Sequence, residues 1–244
     1  MKEKTLIIIP GWGGSTETWQ KFVDQARSFF TQVVCLDLPC FGHTPCPSEV
    51  WGVEEYADFV AKEVVKIQQQ SDNQIVLLGH SFGGQVATQL IADKPEICDI
   101  LILSGAAVYR RNRGVREIIF SAVAKSGKII LSLPILHHLQ SRAKKLLYRV
   151  ADSPDYNDTK GTKRSIFQKV IRQDVSHLLN KISKPTLVMW GESDSYVPLH
   201  LGQKIAQTIP HSSLVVIPKA GHGIHQSHSA EMLTLIQDFI GKQS

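Results

Sequence analysis

Six short apolar runs punctuate the chain, at residues 5–9, 32–36, 74–78, 100–103, 186–190 and 213–217. Most are apolar throughout rather than at alternate positions, the pattern of strands covered by helices on both faces of a parallel sheet. Amphipathic stretches at residues 16–30, 53–70, 82–92, 199–208 and 228–241 separate them. The last carries Met232, Leu235, Ile236, Phe239 and Ile240 at helical spacing. Strand and helix in alternation predict a doubly wound α/β sheet with right-handed crossovers.

Residues 105–185 break the alternation, because they contain no good strand. Val115, Ile118, Ile119, Ala122 and Val123 mark one amphipathic helix there. Leu133-Pro134 interrupts the pattern, and helical faces return at 143–150, 166–171 and 175–182. The turn-forming run Asp152-Ser153-Pro154-Asp155 lies between them. A structureless loop this long does not suit a compact domain. Residues 105–182 are therefore expected to form a helical cap inserted into a core built from 1–104 and 183–244. Charge sharpens the division. The net charge is +5, yet residues 105–180 hold 15 Lys and Arg against 5 Asp and Glu, and the remainder holds 12 against 17. The basicity belongs to the inserted segment.

The 244 residues, 43% hydrophobic and 20% charged, suit a globular protein with a full core. The N-terminal apolar run at 6–9 is too short for a signal-peptide core. No run reaches the roughly 18 apolar residues of a membrane helix. A cytoplasmic location without stable membrane insertion is the expectation. Cys35, Cys40, Cys46 and Cys98 contain no CxxC pair and no zinc-ligand set. The spacing of Cys40 and Cys46 permits a bridge, but a reducing compartment favours four free structural thiols.

Chemistry concentrates after the strands. Gly79-His80-Ser81-Phe82-Gly83 follows the run 74–78 and opens the helical pattern at 82–92. This is G-x-S-x-G in a strand–turn–helix context, where small residues two before and two after the serine let the backbones nearly touch. Ser81 is the candidate nucleophile, in a strained turn that exposes its hydroxyl. A nucleophilic serine needs a base and an orienting acid, and after such a turn they follow in the order acid, then histidine. Glu192 and Asp194 both lie in the loop after the fifth strand, and His222 lies between glycines after the sixth. His80 adjoins the nucleophile and points away from its hydroxyl. His225 and His228 recur at spacings of three, but positions six apart on a helix face different ways and His222 sits in a loop, so no metal site is expected.

The developing oxyanion needs two preorganised N–H donors. Phe82, directly after the nucleophile, offers one. The other is expected from Trp12 in Pro10-Gly11-Trp12-Gly13-Gly14, after the first strand. That stretch lacks GxGxxG spacing and any P-loop lysine and threonine, so no nucleotide cofactor is implied.

Taken together these motifs resemble the α/β-hydrolase superfamily, in particular small capped serine esterases, carbon–carbon bond hydrolases and cofactor-free haloperoxidase-type esterases. Asp37-Leu38-Pro39-Cys40-Phe41-Gly42-His43 is similar to the family's D-x-P-G-F-G-x-S loop. The likeness runs from Thr5 to about Ile240 and is weakest in the cap. It implies Asp194 rather than Glu192 as the triad acid, and a catalytic triad of Ser81, Asp194 and His222. Pro10 stands where many relatives have His, and Cys40 where they have Gly. The chain starts at what corresponds to the family's third strand, so a six-stranded, wholly parallel sheet is expected.

The expected activity is hydrolysis of a carboxylic ester or related acyl bond in a small-molecule substrate, through an acyl-enzyme and without a cofactor. A thioesterase or a carbon–carbon bond hydrolase would use the same triad. A low-turnover ligand-binding sensor on the same fold is the rival from another class, and the complete triad argues against it. Lysines and arginines of the cap read first as the solvated face of amphipathic helices. Arg110, Arg111 and Arg113 begin the cap directly after a strand's carboxyl end, which makes them candidate contacts for an acidic substrate, an acyl-carrier partner or an anionic membrane surface. Charge alone suggests nucleic acid, but no recognition motif supports it.

Overall fold

A computed structural model describes residues 3–110 and 161–243. Six parallel strands form one sheet in the order β2-β1-β3-β4-β5-β6. They are β1 (Lys4–Ile9), β2 (Gln32–Cys35), β3 (Gln74–His80), β4 (Ile100–Ser104), β5 (Thr186–Gly191) and β6 (Ser212–Ile217). The register pairs Ile8 with Leu78, Leu78 with Ile102, Ile102 with Leu187 and Leu187 with Ser213. Helices α1 (Thr16–Ala26), α2 (Val53–Gln68), α3 (Phe82–Asp93), α4 (Gly161–Val170), α5 (Leu199–Thr208), α6 (Ile224–Ser227) and α7 (Ser229–Gly241) connect and flank the strands.

The apolar strand runs are explained by two cores. Ile7, Ile9, Leu77, Leu101, Leu103, Val188 and Trp190 pack with α2 and α3 on one face. Leu6, Ile8, Val76, Leu78, Ile100, Ile102 and Met189 pack with α1 and α7 on the other. Alternate residues of one strand thus serve opposite cores, which removes any polar face. The chain reverses direction across the sheet between β1 and β3, and crevices form at the carboxyl ends of strands beside such a switch. The loops after β1 and β3 meet there.

Several expectations change in detail. The helix at 16–30 ends at Ala26, and Ser28 and Phe29 close tighter turns by donating to Gln25 and Ala26. Residues 176–181 form a 3-10 helix rather than an α-helix. Cys40 and Cys46 form a disulfide, where free thiols were expected. The loop folds back on itself, with Cys40 at φ 76° and its N–H donating to the Thr44 carbonyl, and brings the two Cα atoms to 4.1 Å. Cys35 and Cys98 are free, and burial pushes both thiols up to about 12, with Asp37 adding to the effect at Cys35.

By contact density the chain divides into two units, Met1–Tyr109 with Gly161–Ser244, and Arg110–Lys160. Helix α4 and the 3-10 helix therefore belong with the sheet, and Ile166, Val170 and Leu179 enter its core. Helical stretches expected around Val115 and at 143–150 lie outside the described residues. No helix among the described residues is long and apolar enough to cross a membrane.

Candidate active site

Ser81 joins β3 to α3 at φ 53° and ψ −115°. A non-glycine residue held there stores about 1–3 kcal/mol of strain. The surrounding backbone fixes it. Its N–H donates to the Ser104 carbonyl at 3.0 Å, and its own carbonyl accepts from Gly84, Gln85 and Ala107 at 3.0–3.2 Å. The turn closes because Gly79 lacks a side chain. A β-carbon there would lie 2.6 Å from the Gly83 carbonyl oxygen and 2.8 Å from the Gly84 Cα.

Asp194 follows β5, and His222 follows β6. Asp194 Oδ2 lies 2.7 Å from His222 Nδ1. Its other oxygen accepts from the N–H groups of Tyr196 and Val197 at 2.9 and 2.8 Å. Trp190, at the end of β5, steadies this loop by donating its indole N–H to the Val197 carbonyl at 2.7 Å. A carboxylate can only accept, so the imidazole proton sits on Nδ1 and Nε2 presents its lone pair. The Asp194 side chain is 1% exposed, which lets the fixed donors and His222 act on its charge with little solvent screening. Glu192 is exposed and accepts instead from the Lys219 N–H at 3.0 Å.

Gly105, directly after β4 and at φ 53°, brings these parts together. A β-carbon there would lie 3.1 Å from both Nδ1 and Cε1 of His222 and 3.4 Å from Asp194 Oδ2. Its neighbour Ser104 binds the Ser81 N–H, so the serine turn and the Asp194–His222 pair meet at the carboxyl end of β4. The His80 and His222 ring centroids are 4.8 Å apart. Among the described residues Ser81 Oγ makes no direct hydrogen bond to His222. In substrate-free enzymes such bonds are often long and tighten when substrate arrives.

The loop after β1 crosses the serine turn closely, since a β-carbon on Gly11 would lie 3.2 Å from Ser81 Cβ. Neither the Trp12 nor the Phe82 amide donates to another described residue. Phe82 is the first residue of α3, where an N–H has no intrahelical acceptor. The Trp12 ring packs edge-on to Phe41 and Phe82, with centroids 4.8 and 5.5 Å away. Asp37 ties the neighbouring loops together by accepting from the Thr16 N–H and hydroxyl at 2.7 and 3.0 Å and from the His43 N–H at 3.1 Å. Burial alone would raise the Asp37 carboxyl, but these bonds outweigh it and hold the group below the usual carboxylate range.

The neighbouring histidines His80, His225 and His228 do not share the Asp194 carboxylate with His222. His80 is buried and donates from Nδ1 to the Ser104 carbonyl at 3.0 Å. Burial first, then His222 and His225, pull it well below the usual imidazole range. His225 stacks on Trp19, and His228 Nδ1 meets the Ser227 hydroxyl at 2.8 Å. No group of three His, Cys, Asp or Glu among the described residues could hold a metal ion. Arg110 is half-buried at the end of the described segment, and Arg111 and Arg113 lie outside it. Sequence reasoning missed Gly105 and the Trp19–His225 pair. A glycine straight after an apolar strand was the readable signal for the first, and the second needs the packing of α1 against α6.

A family model described as alpha/beta hydrolase fold matches residues 4–229. A pimeloyl-[acyl-carrier protein] methyl ester esterase of Aliivibrio salmonicida is 25% identical, over 96% of this chain and 91% of its own length. One from Neisseria meningitidis is 27% identical, over 97% and 93%. Against the biotin biosynthesis bifunctional protein BioHC of Cellvibrio japonicus, 25% identical over 98% of this chain, the chain spans 48% of the relative's length. Among solved structures, a thermophilic esterase from Thermogutta terrifontis shares the fold with a TM-score of 0.69 at 22% identity, covering 98% of this chain and 90% of that one. A meta-cleavage product hydrolase does so with a TM-score of 0.69 at 17% identity, covering 99% and 92%.

Proposed function

This chain is a hydrolase of the α/β-hydrolase fold family, and from that premise we propose that it cleaves a carboxylic ester through an acyl-enzyme on Ser81. The observation that carries this reading is the half-buried 2.7 Å bond between Asp194 Oδ2 and His222 Nδ1, beside a strained Ser81. In the proposed reaction His222 takes the Ser81 hydroxyl proton at Nε2 while Oγ attacks the acyl carbon. The Trp12 and Phe82 N–H groups receive the oxyanion. His222 returns the proton to the leaving alcohol as the ester C–O bond breaks. It then takes a proton from the water that attacks the acyl carbon, and returns it to Ser81 Oγ as the acyl–Oγ bond breaks and the acid is freed. Asp194 fixes the tautomer and stabilises the imidazolium without taking the proton itself.

The substrate we propose is a small acyl ester, carried on an acidic acyl-carrier partner. Two things support this: the names of the relatives, and the basic segment 110–160, with 11 Lys and Arg against 4 Asp and Glu. Residues 110–160, the second compact unit, are the proposed cap, with Arg110, Arg111 and Arg113 at its start. The proposed setting is cytoplasmic, with no nucleic-acid partner and no stable membrane insertion.

Methyl and p-nitrophenyl esters of increasing acyl length, assayed beside a matched acyl thioester, test the bond class. Esters are expected to give the higher kcat/KM. Preference for the thioester would move the reading to a thioesterase. A chain that turns over neither and whose Ser81 resists a fluorophosphonate would be a ligand-binding protein.

A further inference from the structure

One face-to-face ring pair links the two loops that flank Ser81. His225, in the single turn α6, lies flat on Trp19 of α1, with centroids 3.8 Å apart and planes 5° apart. Both residues are buried. The His225 ring meets His80 edge-on at 4.8 Å, and Trp19 meets His80 at 5.8 Å. His80 in turn lies 4.8 Å from His222. The rings therefore form a contiguous set from α1 to the catalytic imidazole.

The covalent connections make this set consequential. Helix α1 starts directly after residues 10–15, and the Trp19 N–H donates to the Ser15 carbonyl at 3.2 Å. Trp19 thus moves with the loop that carries Trp12. His225 is three residues after His222, with the Ile224 N–H on the His222 carbonyl at 3.0 Å. The first half of the His222 loop is tied to the Asp194 loop, because the Ser193 N–H donates to the Ala220 carbonyl at 2.9 Å. The second half is held by the stack. No hydrogen bond among the described residues accounts for His225, whose Nδ1 is buried and finds no partner there. Leaving such an atom unpaired costs about 1–3 kcal/mol, so what this position uses is a flat ring face.

We propose that His225 is a positioning residue: stacked on Trp19, it fixes the His222 loop in register with the oxyanion loop, so that base and oxyanion donors converge on one acyl carbon. This rests on the triad reading above. A misplacement of about 1 Å can cost about a hundredfold in rate.

The test compares His225→Phe, which keeps a flat ring, with His225→Ala, on a short ester and in the rate of fluorophosphonate labelling of Ser81. His225→Phe should keep kcat within about threefold of the parent, while His225→Ala should lower kcat about tenfold or more with KM within about twofold. Labelling should follow kcat. Parental kcat in His225→Ala, or equal losses in both variants, would overturn the proposal, the second because a ring nitrogen rather than the stack would then matter. Melting temperatures identify a variant that does not fold. Trp19→Phe, which shrinks the stacked face, then gives the same comparison, with reduced kcat expected and unchanged kcat contradicting. A parent that hydrolyses no ester would contradict the ester reading alone, since the labelling rate of Ser81 still reports the placement of His222.

Discussion

Lowering the pH from 7 towards 4 should destabilise this protein more steeply than its carboxylates alone require, because a buried imidazole resists protonation. Burial first, and then the neighbouring His222, pull His225 down from 6.5 to about 4. In the unfolded chain the same ring takes its proton near its ordinary value. Between the two values the unfolded state binds a proton that the folded state refuses. Stability therefore rises with pH across that window and is lost as pH falls through it, and a histidine paired with a carboxylate would show the reverse. A gap of about 2.5 units, at about 1.4 kcal/mol per unit, makes the loss about 3 kcal/mol by about pH 4. Thermal melts of the parent and His225→Phe at several pH values isolate this contribution. In a chain of this size 1 kcal/mol moves Tm by about 2–4 °C, so the parent should lose about 6–12 °C more than the variant between pH 7 and 4. Parallel curves would mean that folding does not hold the His225 proton off.

Asp194→Asn should lower kcat by about four orders of magnitude, while Glu192→Gln should stay within about threefold, because only Asp194 reaches His222; steady-state kinetics that rank them the other way would move the acid role. Gly105→Ala should cut kcat at least about tenfold and lower stability by about 1–2 kcal/mol, since its positive φ strains the new residue and the added methyl meets His222 at 3.1 Å; kinetics and urea melts check both. Replacing Arg110, Arg111 and Arg113 with Gln should lower kcat/KM for an acyl-carrier-linked ester, less so as salt rises, and spare a neutral small ester. Equal losses on both substrates would mean that the arginines shape the pocket instead.

The strands were legible because a run such as Leu6-Ile7-Ile8-Ile9 must serve a core on each face, as Leu6 and Ile8 do on one side and Ile7 and Ile9 on the other. The serine turn was legible because its geometry demands glycine at 79 and tolerates no bulk there. Asp194 could be told from Glu192 only through family resemblance, since both precede Tyr196 in one loop, and only the fold decides which carboxylate turns inward. The Cys40–Cys46 bridge depends on a left-handed turn at Cys40, which sequence spacing permits without requiring. Residues 176–181 carry helical periodicity but close 3-10 turns, with Ile182 donating to the Leu179 carbonyl. His225 illustrates the limit most clearly. Read as a sequence it is one of three histidines at metal-like spacing, and its stacking on Trp19 arises from residues 206 positions apart.

The central claim is that Ser81 is a nucleophile activated by His222. Intact-mass measurement after a brief exposure to a short-chain p-nitrophenyl ester at low pH quench tests it directly. An acyl adduct of one equivalent is expected on the parent, mapped to Ser81, and none on Ser81→Ala or on a parent pretreated with fluorophosphonate. Ester turnover that continues in Ser81→Ala, or an adduct mapped to another residue, would contradict it.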